Sequence, residues 1–184
     1  GQVVPSTLQD VKLTADLEAR SGTGIGKSGS SILSRVSGES RIPEARGRIR
    51  QVYLDPSDAI AYPGAERALL NADLIVAGPG SLYTSVLPNL LVPEIAQAVG
   101  ASMARKVYVC NVATQRGETE GYTVHDHVAA LESHVQGSLF PVVLANANLD
   151  ADYEAPPGVE LVRPEVPAGA DYQMITCDLV DATH

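Results

Sequence analysis

The sequence predicts an α/β fold in which a doubly wound, mostly parallel sheet carries a small antiparallel β extension. Two observations support this fold class. Between residues 49 and 146, short continuous apolar runs alternate with helix-length segments, as in chains whose parallel strands are buried on both faces and joined by right-handed helical crossovers. Before residue 49, apolar and polar residues alternate singly, which is typical of strands with one solvated face.

Residues 1–48 are predicted to form the antiparallel extension. Apolar side chains alternate with polar neighbours along the first strand, at Val11, Leu13, Ala15 and Leu17. Residues 32–36 form a second short apolar stretch, so the two stretches are expected to pair as a hairpin. The Gly/Ser-rich segment 21–31 is interpreted as an exposed connection. It imitates a Walker A loop and a dinucleotide fingerprint, but its spacing and the β-like stretch after it do not fit either.

Residues 49–146 are predicted to form the α/β core, and residues 147–184 an edge or cap of the same domain. The expected core strands are residues 51–54, 74–77, 106–110 and 141–145, and the expected helices are residues 63–71, 90–104 and 124–135. Beyond residue 146 the chain is rich in Pro, Asp and Glu, and two weaker strands are expected, at residues 159–162 and 174–180. This order of elements indicates a Rossmann-like sheet.

Composition argues against several classes of function. The chain has a net charge of −9 and a pI of about 4.8, so it repels phosphodiester backbones and no nucleic-acid partner is expected. No stretch approaches the roughly 20 apolar residues of a membrane span. Cys110 and Cys177 each lie in an apolar run, which favours buried thiols in a reducing compartment and hence a cytoplasmic location.

The loop after strand 74–77 is the first candidate ligand site. In open α/β sheets, ligands bind beyond the carboxyl ends of the strands, where loop amides and helix amino termini converge. Glycines let this loop turn sharply and approach a ligand, and its amides and hydroxyls suit a phosphate. The predicted ligand residues are Gly78, Gly80, Ser81, Leu82, Tyr83 and Thr84. The alternative is a tight strand-to-helix turn whose hydroxyls only cap the helix.

The loop after strand 106–110 is the second candidate ligand site, because long polar loops with little structure of their own are often functional. It spans residues 111–123. The residues predicted to bind a base, sugar or phosphate are Asn111, Thr114, Gln115, Gly117, Glu118, Thr119 and Tyr122. The alternative is that Thr123 and Asp126 cap the next helix while the rest of the loop is solvated.

Four further side chains are candidates for chemistry: Tyr153, His125, His127 and His134. Tyr153 is predicted to stack on a base, with an exposed tyrosine in an edge loop as the alternative. His125 and His127 lie two residues apart and therefore on different sides of a helix, so no metal site is expected. His127 and His134 share one helical face and are interpreted as packing or surface residues rather than as an acid/base pair.

Both loops resemble the signatures of the phospholactate transferase-like CofD/YvcK family. The first signature is carried by residues 72–76, 78–85 and 88–92. The second is carried by residues 106–111, Thr114-Gln115, Gly117-Glu118-Thr119, Gly121-Tyr122-Thr123 and Asp126-His127. The likeness runs from about residue 4 to residue 179 and includes Gly38-Glu39-Ser40.

Within that family the chain resembles the bacterial YvcK-like branch, sometimes called gluconeogenesis factor. Residues 78–83 read Gly-Pro-Gly-Ser-Leu-Tyr, where the transferase branch resembles Gly-Pro-Ser-Asn-Pro. The resemblance implies a cytoplasmic protein that binds a UDP-sugar and supports cell shape, cell-wall synthesis and growth on gluconeogenic carbon sources. It implies no catalytic residue and no certain cofactor, with Mg²⁺ expected only for a transferase, and it leaves a homo-oligomer open.

The chain also departs from the family pattern. Arg116 stands where the family usually has proline, which makes the second loop more mobile or places a cation beside an anionic ligand. The family's amino-terminal Gly-Gly-Gly-Thr-Gly loop has no counterpart, so the chain is expected to be truncated at both ends. Two rival functions stay open. One is transfer of a phospholactyl group to a deazaflavin, with Glu118 or Asp126 as base, and the other is an interaction scaffold with a decayed ligand site.

Overall fold

A computed structural model of the protein describes residues 1–18, 33–45, 47–135, 137–150 and 155–180. Segment 21–31, with its two imitated motifs, and Tyr153 lie outside the described residues. The described part of the chain forms one three-stranded and one four-stranded sheet. The predicted fold class, an α/β protein with a parallel sheet and a small antiparallel extension, is confirmed.

The amino-terminal strands form an antiparallel sheet. Its members are β1 (Lys12–Glu18), β2 (Leu33–Ser37) and β3 (Arg48–Asp55). Their order in the sheet is β2-β1-β3. In β1, Leu13, Ala15 and Leu17 are buried, because the alternating pattern places all of them on the core face. The predicted antiparallel pairing of the first two strands is confirmed.

Strand β3 differs from its prediction. Residues 51–54 were expected to begin the parallel core, but β3 pairs antiparallel with β1. Its exposed Arg48 and Arg50 flank the buried Ile49, so the strand has one solvated face. Such a strand suits an antiparallel sheet better than a doubly covered parallel one.

The carboxyl-terminal strands form the parallel sheet. Its members are β4 (Leu74–Ala77), β5 (Arg105–Val109), β6 (Val142–Asn146) and β7 (Gln173–Cys177). They follow one another in the order β4-β5-β6-β7, and every neighbouring pair is parallel. The weak strand expected at residues 174–180 is therefore a full member of this sheet, whereas residues 159–162 contribute only a bridge between Leu161 and Ala113.

In the described residues, four α-helices connect these strands. They are α1 (Pro63–Leu70), α2 (Leu87–Leu90), α3 (Pro93–Ala101) and α4 (Val124–Val135). The single helix expected over residues 90–104 is wrong, because α2 ends at Leu90 and α3 begins at Pro93. Proline disfavours a helical conformation at the residue before it, and Val92 accordingly has an extended conformation, with φ −74° and ψ 116°. Among the described helices, none is long and apolar enough to cross a membrane.

Strand β4 is less buried than its apolar sequence predicts. Ile75 is buried, but Leu74 and Val76 are 55% and 51% exposed. The expectation that this strand is buried on both faces is therefore wrong for the described residues. Leu74 and Val76 are exposed because β4 is an edge strand of its sheet. Residues alternate between the two faces of a strand, so both side chains lie on the same face. The loop that follows β4 consequently begins at the edge of the sheet.

A histidine links the antiparallel sheet to helix α4. The Val52 backbone N–H donates to His134 Nε2 at 3.0 Å, and His134 Nδ1 lies 2.7 Å from the Ala130 carbonyl oxygen. A carbonyl oxygen only accepts, so Nδ1 carries the proton and Nε2 is the bare acceptor. The imidazole is therefore neutral, and burial lowers the pKa of His134. Its interpretation as a packing residue is confirmed.

Acidification is expected to weaken this link. Because the pKa of His134 is lower in the folded chain than the unfolded value near 6.5, the stabilisation is complete above about pH 6.5 and is lost as the pH falls through the folded pKa. A protonated Nε2 loses the Val52 bond, which contributes about 1 kcal/mol. Urea unfolding at pH 7.5 and pH 5.5 should show a smaller pH-dependent loss for His134→Gln than for the wild type or His125→Gln. Equal losses in all of these proteins would contradict the role of His134.

Candidate functional site

The first predicted loop turns directly off β4 and lies against the end of β5. Gly78 has φ +81°, and a Cβ added there would lie 2.5 Å from the Val109 carbonyl oxygen. Only glycine combines this conformation with so close an approach. The chain then enters a π-helical turn over Leu82–Val86, in which Leu82, Tyr83 and Thr84 are buried. The loop is therefore at the carboxyl end of a parallel strand, as predicted.

Asn111 joins the two predicted loops. Its Nδ2 donates to the Gly80 carbonyl oxygen at 3.0 Å, and the Gly80 N–H donates to Asn111 Oδ1 at 3.0 Å. Gln115 extends the network, since its Nε2 donates to Ser81 Oγ at 2.8 Å and its Oε1 accepts from Asn111 at 3.3 Å. The parallel pairing of β4 with β5 brings these loops to the same edge of the sheet, and the amide side chains fix their spacing.

Glu118 accepts two hydrogen bonds from the first loop. It is only 5% exposed. The Tyr83 N–H donates to its Oε2 at 3.0 Å, and the Thr84 hydroxyl donates to its Oε1 at 2.7 Å. A buried carboxylate is stable only when hydrogen bonds or charges compensate its lost hydration, and here the π-helical turn supplies the hydrogen bonds. Glu118 therefore determines the position of that turn.

Two predicted ligand residues of the second loop have internal partners instead. Thr114 and Thr119 are buried. Thr114 Oγ1 accepts the Glu160 N–H at 2.9 Å, and Thr119 Oγ1 accepts the Gln115 N–H at 2.9 Å. These hydroxyls stabilise the fold of the loop and of the segment that crosses it, and burial keeps both side chains away from a ligand at the surface.

The two predicted tyrosines also form an internal pair. The hydroxyl oxygens of Tyr83 and Tyr122 lie 2.8 Å apart in a buried contact. Burial, and next to it the neighbouring Tyr122, raise the pKa of Tyr83 far above its ordinary value, so Tyr83 stays neutral. These rings pack the loops against α4 and the antiparallel sheet, where the Arg48 guanidinium lies 5.9 Å from the centroid of the Tyr122 ring.

A polar cleft of about 440 Å³ opens where the loops meet the turn Glu39–Arg41. It is lined by Glu39, Ser40, Pro43, Ser81, Thr84, Gln115, Arg116 and Glu118. Four of the predicted ligand residues therefore meet in one cleft: Ser81, Thr84, Gln115 and Glu118. Gly78 and Gly80 instead line a separate groove of about 430 Å³ beside β4. The lining residues Glu39 and Ser40 were not predicted as ligand residues, although their occurrence in the Gly38-Glu39-Ser40 match was a usable signal.

The alternative interpretations of the two loops have different outcomes. Ser81 precedes the π-helical turn without making a side-chain capping bond, so its hydroxyl is not simply a cap. At α4, by contrast, Asp126 Oδ2 accepts the Thr123 N–H at 2.8 Å, and the Asp126 N–H donates to Thr123 Oγ1 at 3.2 Å. This capping box confirms the predicted helix start. Burial acts to raise the pKa of Asp126, but the bonds from Thr123 outweigh it and lower the pKa overall.

His127 belongs to the packing around this cap. Its Nδ1 donates to the Thr123 carbonyl oxygen at 2.8 Å. Its ring packs edge-on against the ring of Tyr122, with 5.4 Å between the two ring centroids. Burial lowers the pKa of His127, which keeps the ring neutral and confirms that it is a packing residue.

The donor set does not fit a protein-held metal ion. Within the described ranges, no three His, Cys, Asp or Glu side chains come together in a way that could hold one. The Glu118 oxygens already accept hydrogen bonds from Tyr83 and Thr84. The Mg²⁺ expected for a transferase would therefore need most of its ligands from the substrate.

Together, the fold and the cleft define an α/β protein with a polar site at the carboxyl edge of a parallel sheet. Residues 1–171 match the family model described as 2-phospho-L-lactate transferase CofD. The chain belongs to this CofD family.

Two gluconeogenesis factors are among its relatives. The one from Halalkalibacterium halodurans is 47% identical over 134 residues, which are 73% of this chain and 38% of the relative. The one from Bacillus subtilis is 44% identical over 147 residues, which are 80% of this chain and 42% of the relative. A crystal structure of a UPF0052 family member from Bacillus halodurans superposes with a TM-score of 0.81 at 35% identity, covering 100% of this chain and 57% of that one. The chain thus spans roughly half or less of the length of these relatives.

Proposed function

We propose that this chain is part of a regulatory protein of the YvcK type that binds a UDP-sugar in the polar cleft. The observation that carries the proposal is the bridge between Asn111 and Gly80, which brings loops from adjacent parallel strands together around one cleft of about 440 Å³. This volume lies within the range of small-molecule sites, about 300–1,000 Å³. The relatives named gluconeogenesis factor support a role in gluconeogenic growth. Roles in cell shape and cell-wall synthesis, and a cytoplasmic location, belong to the same proposal.

The geometry divides the predicted ligand residues between contact and support. Ser81 and Gln115 line the cleft and are the proposed contacts. Ser81 Oγ accepts from Gln115, so the hydroxyl proton of Ser81 is available for a ligand oxygen. Thr84 also lines the cleft, but its proton is donated to Glu118, which leaves its oxygen as an acceptor for a ligand hydroxyl. Asn111, Thr114 and Thr119 hold the loops in place.

Calorimetry with the full-length protein tests this function. Titration with UDP-N-acetylglucosamine should give saturable heat, whereas free N-acetylglucosamine should give little, because it lacks the nucleotide and the phosphates. Absence of heat at millimolar UDP-N-acetylglucosamine would contradict the proposal. Normal cellular function after replacement of both Ser81 and Thr84 by alanine would instead favour the interaction scaffold.

The description of the family model as a 2-phospho-L-lactate transferase keeps an enzyme as the second candidate. For such an enzyme, the two candidate bases, Glu118 and Asp126, are poorly suited to accept a proton. Glu118 accepts from Tyr83 and Thr84, and the lowered pKa of Asp126 makes it a weak base. Transfer of a phospholactyl group to a deazaflavin acceptor, detected by mass spectrometry, would establish the enzyme nevertheless.

A further inference from the structure

Several hydrogen-bond donors of the first loop are already used within the protein. The Gly80 N–H donates to Asn111, and the Tyr83 N–H and the Thr84 hydroxyl donate to Glu118. A phosphate-binding loop normally keeps such donors for its ligand. The cleft also contains the carboxylates of Glu39 and Glu118, which repel anions. An anionic ligand therefore needs a positive charge from elsewhere in the cleft.

Among the described residues that line the cleft, Arg116 is the one with a cationic side chain. Its side chain is exposed. Within the part of the chain that the structure describes, the ion pairs of arginine are Arg35 with Asp16 and Arg163 with Glu165, so no carboxylate occupies the Arg116 guanidinium. The five donors of a guanidinium match phosphate oxygens in a bidentate arrangement.

The backbone that carries Arg116 is fixed on its carboxyl side. The Gly117 N–H donates to Glu120 Oε1 at 2.9 Å, and a Cβ on Gly117 would lie 2.0 Å from the Pro43 carbonyl oxygen. The next two residues, Glu118 and Thr119, are buried. The guanidinium is thus attached to an anchored loop in the cleft that Ser81 also lines, which reduces the ordering cost when a ligand binds.

We propose that Arg116 binds the diphosphate of the ligand and makes the cleft selective for nucleoside diphosphate compounds over nucleosides. This inference rests on the proposed function, because it assigns the charge recognition of the same cleft. Ser81 then donates to a neighbouring phosphate oxygen, while Gln115 holds the Ser81 oxygen at 2.8 Å.

The test compares Arg116→Gln with Arg67→Gln, which removes an exposed arginine of helix α1 outside the cleft. For the full-length protein, Arg116→Gln should weaken UDP-N-acetylglucosamine about 10- to 100-fold, as expected for loss of a charge-assisted bidentate contact. Uridine binding should stay unchanged, and Arg67→Gln should bind both compounds as the wild type does. Arg116→Lys should lie between, because it keeps the charge without the bidentate geometry.

Inorganic pyrophosphate separates this inference from the proposed function. If UDP-N-acetylglucosamine fails to bind while pyrophosphate binds the wild type and not Arg116→Gln, the proposed function falls and the role of Arg116 stands. Wild-type affinity of Arg116→Gln for UDP-N-acetylglucosamine would overturn the inference alone. An equal loss of uridine binding would also overturn it, since the arginine would then act on the structure of the cleft.

Discussion

Replacing Glu118 by alanine is expected to lower the free energy of unfolding by about 3 kcal/mol. The substitution leaves the Tyr83 N–H and the Thr84 hydroxyl without their acceptor, and a buried donor without a partner costs about 1–3 kcal/mol. In a chain of 184 residues, each kcal/mol lowers the Tm by about 2–4 °C. Thermal unfolding followed by circular dichroism should therefore show a decrease of roughly 6–12 °C.

Two further variants test whether the buried hydrogen bonds are the cause. Glu118→Gln keeps one oxygen acceptor and should cost about half as much. Glu165→Ala removes an exposed carboxylate that lies 3.3 Å from Arg163, and a surface pair of this kind contributes at most about 1 kcal/mol. If Glu118→Ala is no more destabilising than Glu165→Ala, Glu118 does not determine the position of the π-helical turn.

Features of the fold that depend on neighbouring residues could be predicted from the sequence. Strand β4 was predicted with its observed bounds, because a continuous apolar run is typical of a parallel strand. Helix α4 was also predicted with its observed bounds, because Thr123 and Asp126 form a capping box at its start. Pro93 was overlooked as a helix start, although proline is common at the first helical position.

Features that depend on distant pairing could not be predicted in this way. The partner of β3 is β1, whose paired residues lie 30 to 43 positions earlier in the chain, and an alternating pattern does not specify a partner. The exposure of Leu74 and Val76 follows from the edge position of β4, which an apolar run cannot indicate. The hydrophobic pattern shows which residues are apolar, but the order of strands in the sheet determines which of these residues are buried by neighbouring elements.

The candidate site shows the same division. The positions of both loops could be predicted, because ligand sites in α/β sheets lie at the carboxyl ends of strands. The roles of individual side chains could not, since they depend on partners from other segments. Thr114 has the polarity of a ligand residue but bonds to Glu160, 46 residues away. The cleft is completed by Ser40, which precedes the first loop and belongs to neither predicted loop.

Replacing Gly117 by alanine is expected to destabilise the protein by roughly 3 kcal/mol or more and to open the cleft. Gly117 has φ +84°, a conformation that costs a residue with a Cβ about 1–2 kcal/mol. The added Cβ would also lie 2.0 Å from the Pro43 carbonyl oxygen, so the loop must separate from the segment that carries Pro43. Both Pro43 and Arg116 line the cleft, and ligand binding should weaken together with stability.

Gly121→Ala provides the matched control in the same loop. Gly121 has φ +74°, but a Cβ added there meets nothing within 4 Å, so this substitution carries the backbone cost of about 1–2 kcal/mol alone. Urea unfolding of both variants, with calorimetry of UDP-N-acetylglucosamine binding, separates the clash from the backbone strain. Equal destabilisation of the two variants would show that the loop moves away from Pro43 at no cost. In that event the cleft would not depend on the contact between Gly117 and Pro43.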